Sequence, residues 1–361
     1  MQKGDANTKF YQKFANGRKA INTIWKIQDE QGWTTNTFPQ LTSLANSHFK
    51  KAYSDPKAAN LAEIIRVALL FPRFVEQEDG NDLMQEVALE ELEATLKWFN
   101  KDKSPGPYVW TIEFYLAFFL FVGADLLRAV EESRASGRLE AAITSTLIAL
   151  ILKSDNPTSF DEYHPISLCN YLYKIIAKII ENRLKPILSK HISPEKFAFL
   201  QDREIHEAIG TTQEVLHSLH SKKCKGMILK VDLSKAFDRV NWLYLRMLLT
   251  HLGFPFNFIK WIMGCITNIP FSVLVNGSAS PFFFLARGLR QGCPLSPLLF
   301  LLIMEGLSRI IKDEHRRGRL KGIMIIEDCM LTHLLFVDDV MIFLNGSVRD
   351  LKIIRDIFSL F

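Results

Sequence analysis

Two adjacent carboxylates, Asp338 and Asp339, lie inside the stretch Leu-Leu-Phe-Val-Asp-Asp-Val-Met-Ile-Phe (334–343), whose other eight residues are apolar. An unpaired buried carboxylate is costly, so the pair must reach water, a cation or a partner. On its own the pair also fits an ordinary solvated hairpin turn, where acids are common. A second motif changes that balance. In Val-Asp-Leu-Ser-Lys-Ala-Phe-Asp (231–238), Asp232 closes an apolar run that reads as a strand. Successive strand residues point to opposite faces, so a strand-end Asp232 and a hairpin-tip Asp338 can meet at one edge of a sheet. Clustered carboxylates repel unless one takes a proton or a cation intervenes. Oxygen donors without His or Cys favour Mg²⁺ or Mn²⁺. Two such ions suit the in-line displacement of phosphoryl transfer.

A third motif is Ala-Arg-Gly-Leu-Arg-Gln-Gly-Cys-Pro-Leu-Ser-Pro (286–297). Its glycines allow a ligand to approach the backbone. It reads as a platform for a nucleotide or template, or more plainly as the entry loop of the apolar helix that follows.

The elements that must position these motifs are legible in outline. Residues 227–231 read as a buried strand and 241–252 as a helix closed by Gly253. Residues 271–275 and 282–286 flank Asn276-Gly277-Ser278, a hairpin signal. Residues 297–312 read as a helix buried on most of its surface, and 331–337 and 340–344 as two short strands around the acids. Upstream, 171–188 carries a strong helical period, with Lys174, Lys178 and Lys185 off its apolar face. One amphipathic helix is expected over 83–100, after a flexible acidic connector at 76–82, and another over 111–131. Between them, Lys-Asp-Lys-Ser-Pro-Gly-Pro (101–107) is a rigid loop with basic flanks. Strand, helix, hairpin, helix, hairpin implies an α+β layer: a mostly antiparallel sheet with helices on one face.

The chain has 361 residues, enough for two or three packed subdomains, and 27 Phe to fill their cores. A net charge of +5 is compatible with a polyanionic partner without establishing one. The basic cluster from Lys9 to Lys19 adds to it. The five scattered cysteines form neither a disulfide frame nor a zinc spacing, which fits a reducing, intracellular compartment, nucleus or cytoplasm. The N-terminal residues are too polar for a signal peptide, and the apolar runs at 114–124 and 294–304 are too short to span a bilayer, so no membrane partner is expected.

The order DLSKAFD, GLRQGCPLSPLLF and FVDD resembles the reverse transcriptases of LINE-type non-LTR retrotransposons, especially those abundant in plant genomes. GDANTKFYQKFANGRKAINTIWKIQDEQG (4–32) is similar to the segment just upstream of the polymerase in such polyproteins. KSPGPYVWTIEFY (103–115), HPISLCNYLYKIIAKIIENRLKPIL (164–188) and ISPEKFAFLQDREIHEAI (192–209) resemble its fingers blocks in order. The resemblance implies a right-hand polymerase: a helical N-terminal extension over 1–95, then fingers and an antiparallel palm over 96–361. It implies Asp232 and Asp338 as metal-binding acids, with Asp339 as the third acid and the Leu233 carbonyl as a further ligand. Phe237 matches the gate that selects deoxynucleotides, Gln291 and Gly292 the nucleotide-contacting loop, Val337 a primer contact and Lys153 the lysine that holds triphosphate. Mg²⁺ (or Mn²⁺), an RNA template, a DNA primer and dNTPs are the implied cofactor and partners.

The sequence departs from that pattern in places. His164 stands where the family has a triphosphate-clamping Arg, so this nucleotide-binding position offers a weaker grip. Tyr108-Val109 replaces Asp-Gly, a change expected to reshape the loop, Asp202 replaces a glycine, and Leu152 stands where proline is common. The chain ends at Phe361, before the family's thumb, so a thumbless fragment or decayed copy is expected. Two other readings stand beside the polymerase: an inactive nucleic-acid-binding relic, and an unrelated Mg-dependent phosphohydrolase.

Overall fold

A computed structural model describes residue 17 and residues 22–361, apart from 55–59, 102, 201–202, 222–224 and 327–328. The basic residues Lys9, Lys13, Arg18 and Lys19, and Asp202, lie outside the described residues. Thirteen α-helices and twelve strands occur among the described residues, and no helix there is long and apolar enough to cross a membrane.

The strands are β1 (Ile27–Gln28), β2 (Thr34–Thr35), β3 (Thr146–Leu152), β4 (Tyr163–Cys169), β5 (Met227–Asp232), β6 (Pro270–Val275), β7 (Ser278–Ala279), β8 (Phe283–Phe284), β9 (Ile323–Ile326), β10 (Cys329–Leu331), β11 (His333–Phe336) and β12 (Asp339–Leu344). Two sheets position the sequence motifs. One is the antiparallel sheet β11-β12-β5, which carries the acidic motifs. The other runs β4-β3-β6-β7, with β8 also on β6, and its β3–β6 pair is parallel. The architecture is therefore mixed, less purely antiparallel than expected.

Helices cover both faces of the acidic sheet, not one. Val340, Ile342 and Leu344 join the main core with helices Tyr171–His191 and Ser296–Arg316. Leu334 and Phe343 pack the opposite way, with Val215 of helix Ile205–Ser221. The reason is in the hairpin itself: its strands are apolar at successive positions, and a strand without alternation must bury both faces. β5 is only half-buried rather than buried, because it lies at the edge of that sheet.

Three helical expectations change. The acidic stretch at 76–82 is no connector: Gln77–Met84 is a helix, started by a reciprocal capping box between Glu76 and Asp79. The helix expected over 83–100 instead begins at Leu89. Between the two, Arg183 Nη1 donates to the carbonyls of Leu83 (3.1 Å) and Gln85 (2.7 Å), and its Nη2 pairs with Glu91 at 2.8 Å. That guanidinium satisfies carbonyls which a continuous helix would have bonded internally. The third, over 111–131, is two helices, Ile112–Ala117 and Phe119–Ser136, the second ended by Gly137 in the left-handed region.

The hairpin at Asn276-Gly277 forms with both residues at positive φ (52° and 86°), as a two-residue turn of that composition requires. The N-terminal segment includes the β1–β2 hairpin as well as helices. Its helix Phe38–Ala52 shares a core with β3 and β6, while Leu92 and Leu96 join the main core. The proline loop is pinned to the start of helix Tyr171–His191. Tyr108 N–H donates to Asn170 Oδ1 (3.1 Å), and a Cβ on Gly106 would lie 2.3 Å from the Asn170 nitrogen. The loop's turn stays closed despite Tyr108-Val109, through Val109 N–H to the Gly106 carbonyl (3.0 Å), but Val109 is forced to φ 62°. A β-branched residue is strained there.

Candidate active site

β5 and β12 pair so that Asp232 lies opposite Asp339. Just past β5, the Leu233 N–H donates to the Asp338 carbonyl (3.1 Å), which ties the strand exit to the hairpin turn. Two acids 106 positions apart in the chain thus end at one place, and both line a cavity of about 670 Å³. The turn residues are Val337 and Asp338, with Val337 at φ 54°. Lys235 (φ 54°) and Phe199 (φ 63°) line the same cavity. Non-glycine residues in that region cost on the order of 1–3 kcal/mol each and gather at ligand-binding sites.

The three acids have different surroundings. The side chains of Asp232 and Asp338 make no hydrogen bond or ion pair with any described residue, and both reach solvent. Asp339 is engaged: Lys230 Nζ lies 3.0 Å from its Oδ1, and it lines a neighbouring groove beside helix Ile205–Ser221. Directly opposed like charges are unfavourable, and Lys230 offsets the Asp232–Asp339 pairing. Among the described residues no three His, Cys, Asp or Glu side chains converge as a metal-binding group. The cavity is therefore lined by two carboxylates without side-chain partners among the described residues and by Leu233, whose carbonyl accepts from the Ala236 N–H (3.1 Å). Such hard oxygens suit a divalent cation that keeps water or substrate oxygens in its remaining positions.

The walls come from the other motifs. The Phe237 ring stacks on Phe300 (centroids 4.4 Å apart, 20° between planes), and its carbonyl accepts from Leu289 N–H at 2.8 Å. The Gln291 carbonyl accepts from Ser167 N–H (3.1 Å), docking the glycine-rich loop on β4 so that Gln291 and Gly292 face the cavity. Lys153 and His164 reach it from the β3–β4 hairpin, both exposed. Nine of the ten residues singled out by the motifs thus line one cavity, and Asp339 faces away from it.

Several residues have roles that spacing did not reveal. Arg290 is buried and serves as an internal brace. It donates to the Thr144 carbonyl and Thr146 Oγ1 (both 3.1 Å) and to the Cys265 carbonyl, and lies 3.5 Å from the Tyr173 ring centroid. Asp238 is buried too, and Tyr53 Oη donates to its carboxylate at 3.0 Å. Burial pushes the Asp238 carboxyl above its ordinary range, against the pull of that hydrogen bond and of nearby cations. Lys235 sits inside the DLSKAFD motif and lines the cavity, so the motif itself carries the signal for it.

Residues 151–361, more than half of the chain, match the family model described as reverse transcriptase (RNA-dependent DNA polymerase). The chain belongs to the reverse transcriptase family. A transposon TX1 uncharacterized 149 kDa protein of Xenopus laevis is 28% identical over 94% of this chain and 25% of its own length. The Pol polyprotein of the type-2 retrotransposable element R2DM of Drosophila melanogaster is 28% identical over 49% of the chain and 17% of its own length. An uncharacterized mitochondrial protein of Arabidopsis thaliana is 37% identical over 24% of the chain and 69% of its own length. The transposon and retrotransposable-element relatives agree with the non-LTR resemblance of the motifs. The chain spans a quarter or less of the first two relatives.

Proposed function

We propose that this chain carries the RNA-directed DNA polymerase site of a non-LTR retroelement, with β5, β11 and β12 as its palm and the β3–β4 hairpin in its fingers. One observation carries the reading. Asp232 and Asp338 are tied together through the Leu233–Asp338 backbone bond, their carboxylates have no partner among the described residues, and both open on the cavity that the other motifs wall. The primer 3′-oxygen forms a bond to the α-phosphorus of a deoxynucleotide, the bond from that phosphorus to the bridging oxygen breaks, pyrophosphate leaves, and the hydroxyl proton passes to solvent. Asp232, Asp338 and the Leu233 carbonyl would hold Mg²⁺ (or Mn²⁺), which supplies charge neutralisation at the attacking and leaving oxygens. Asp339, held by Lys230, adds negative potential beside them. Phe237, fixed by Phe300, presents its ring where a 2′-hydroxyl would enter; Gln291 and Gly292 back the nucleotide; Val337 meets the primer end; Lys153 and His164 face the phosphates. An RNA template and DNA primer would be held through their phosphates, with salt-sensitive affinity.

The test is primer extension on an RNA template with Mg²⁺ or Mn²⁺, comparing the chain with Asp232→Asn and Asp338→Asn. Metal-dependent extension lost in both variants is expected. Extension that survives either substitution would overturn the assignment. His164 at the phosphate-facing wall favours a second reading, a chain that binds hybrid without extending it. Salt-sensitive hybrid binding without extension in either metal would select it.

A further inference from the structure

Two lysines and a histidine of the cavity wall converge on one acid that no motif singles out. Asp161 lies in the short turn between β3 and β4. Its Oδ1 is 2.5 Å from Lys235 Nζ and 3.8 Å from His48 Nε2, and its backbone carbonyl accepts from Lys153 Nζ at 2.7 Å. These groups arrive from three separate places: the N-terminal helix Phe38–Ala52, the β3–β4 hairpin and the loop after β5. Both lysine ammoniums that face the cavity are therefore seated on a single residue. The Asp161 side chain is 61% exposed and that of Lys235 35%, so an anion entering the cavity competes directly for the lysine. An exposed ion pair of this kind is weak. A polyphosphate brings several charges where the carboxylate brings one, and its oxygens accept the same hydrogen bonds.

We propose that Asp161 is a resident anion in the polyphosphate seat, and that Lys235 exchanges the Asp161 carboxylate for a phosphate when nucleotide enters. Asp161 is thus a positioning residue: it keeps Lys235 pointed into the cavity and sets a threshold against weakly charged ligands. The inference rests on the polymerase reading for the identity of the incoming nucleotide, and on the geometry alone for the seat.

Binding of inorganic tripolyphosphate to the full chain in Mg²⁺ buffer, by titration calorimetry, tests it without requiring catalysis. Asp161→Asn is expected to tighten binding about threefold, the inverse of a typical exposed pair's strength. Lys235→Ala is expected to weaken it by about fivefold, and Asp161→Asn to add nothing on the Lys235→Ala background. A purely structural Asp161 would give neither the tightening nor the dependence on Lys235. Melting curves screen each variant for folding, with Asp161→Ser as the second substitution. Unchanged or weaker binding by folded Asp161→Asn, equal tightening with and without Lys235, or no saturable tripolyphosphate binding by any form overturns the proposal. So does tightening confined to a short RNA–DNA hybrid, which would make the seat one for backbone phosphate. A chain that binds tripolyphosphate as expected yet never extends a primer keeps this inference and loses the polymerase reading.

Discussion

Two sets of acids flank the same hairpin in opposite surroundings. Glu305, on helix Ser296–Arg316, is 1% exposed and fully engaged. Lys196 Nζ (2.5 Å), Arg309 Nε (2.9 Å), Ser193 Oγ (2.7 Å) and Ser193 N–H (3.2 Å) all surround its carboxylate. Burial would push its carboxyl up, but Lys196, Ser193 and Arg309 hold it below the ordinary range. Lys196 bears the complementary strain, its ammonium pushed down by burial to about 8. This network clamps the 193–197 segment to β11: the Phe197 N–H donates to the Leu335 carbonyl (3.0 Å), and the Leu335 N–H to the Glu195 carbonyl (2.9 Å). The carboxylates of Asp232 and Asp338, just beyond, have no such partners among the described residues. The difference separates acids that hold the fold from acids left open to a ligand, since an interior charge without a partner would be eliminated as unstable.

Substitutions can break this contrast. The largest effect is expected at Asp338→Asn: extension falls by about 10⁴-fold, roughly 5 kcal/mol of barrier, while the melting temperature stays or rises because repulsion beside Asp232 is relieved. A melting temperature that drops sharply would mean that Asp338 also holds the fold. Glu305→Ala should do the reverse, costing about 3–5 kcal/mol in urea unfolding by stranding a buried Lys196. A loss under about 1 kcal/mol would show that the network contributes little.

Gly288→Ala probes the link between the loop and the DLSKAFD turn. Gly288 sits at φ 98°, and its Cβ would lie 2.8 Å from the Asp238 carbonyl. A loss of about 2 kcal/mol is expected from strain and displacement, and an alanine tolerated without loss would refute the close packing. The smallest effect is a pH dependence. His333 is buried, between Ser308 Oγ (2.6 Å) and Thr332 Oγ1 (2.9 Å). Burial first, then Lys196 and Lys312, hold its imidazole well below 6.5. The unfolded chain therefore takes up a proton near pH 6.5 that the folded chain refuses. Stability should fall as pH drops below about 6.5, by up to about 1.4 kcal/mol per unit from this residue. His333→Asn should flatten urea-derived stability between pH 7 and 5.5, and an unaltered slope would assign the dependence elsewhere.

Much of the site could be read from the chain because its local chemistry is strong. The acids at 232 and 338 lie at strand ends marked by apolar runs, and Gly253 and Asn276-Gly277 mark a helix end and a turn that need positive φ. The helix break before Leu89 was hidden, because it depends on Arg183, nearly a hundred residues downstream, taking up the freed carbonyls. The both-faced burial of the acidic hairpin was visible as unbroken apolarity, yet the helix that covers its second face was not.

By itself, then, the sequence determined the order of the motifs, the apolar strands that carry them and the kind of oxygen chemistry they offer, since residue type and short-range period decide these. Only the tertiary structure decided which charges are free. Arg290 braces the interior, Asp339 turns to Lys230, Lys235 rests on Asp161, and Asp232 and Asp338 remain open. Hydrogen bonds and ion pairs act over a few ångströms, and residues far apart in the chain come that close only once the cores have packed.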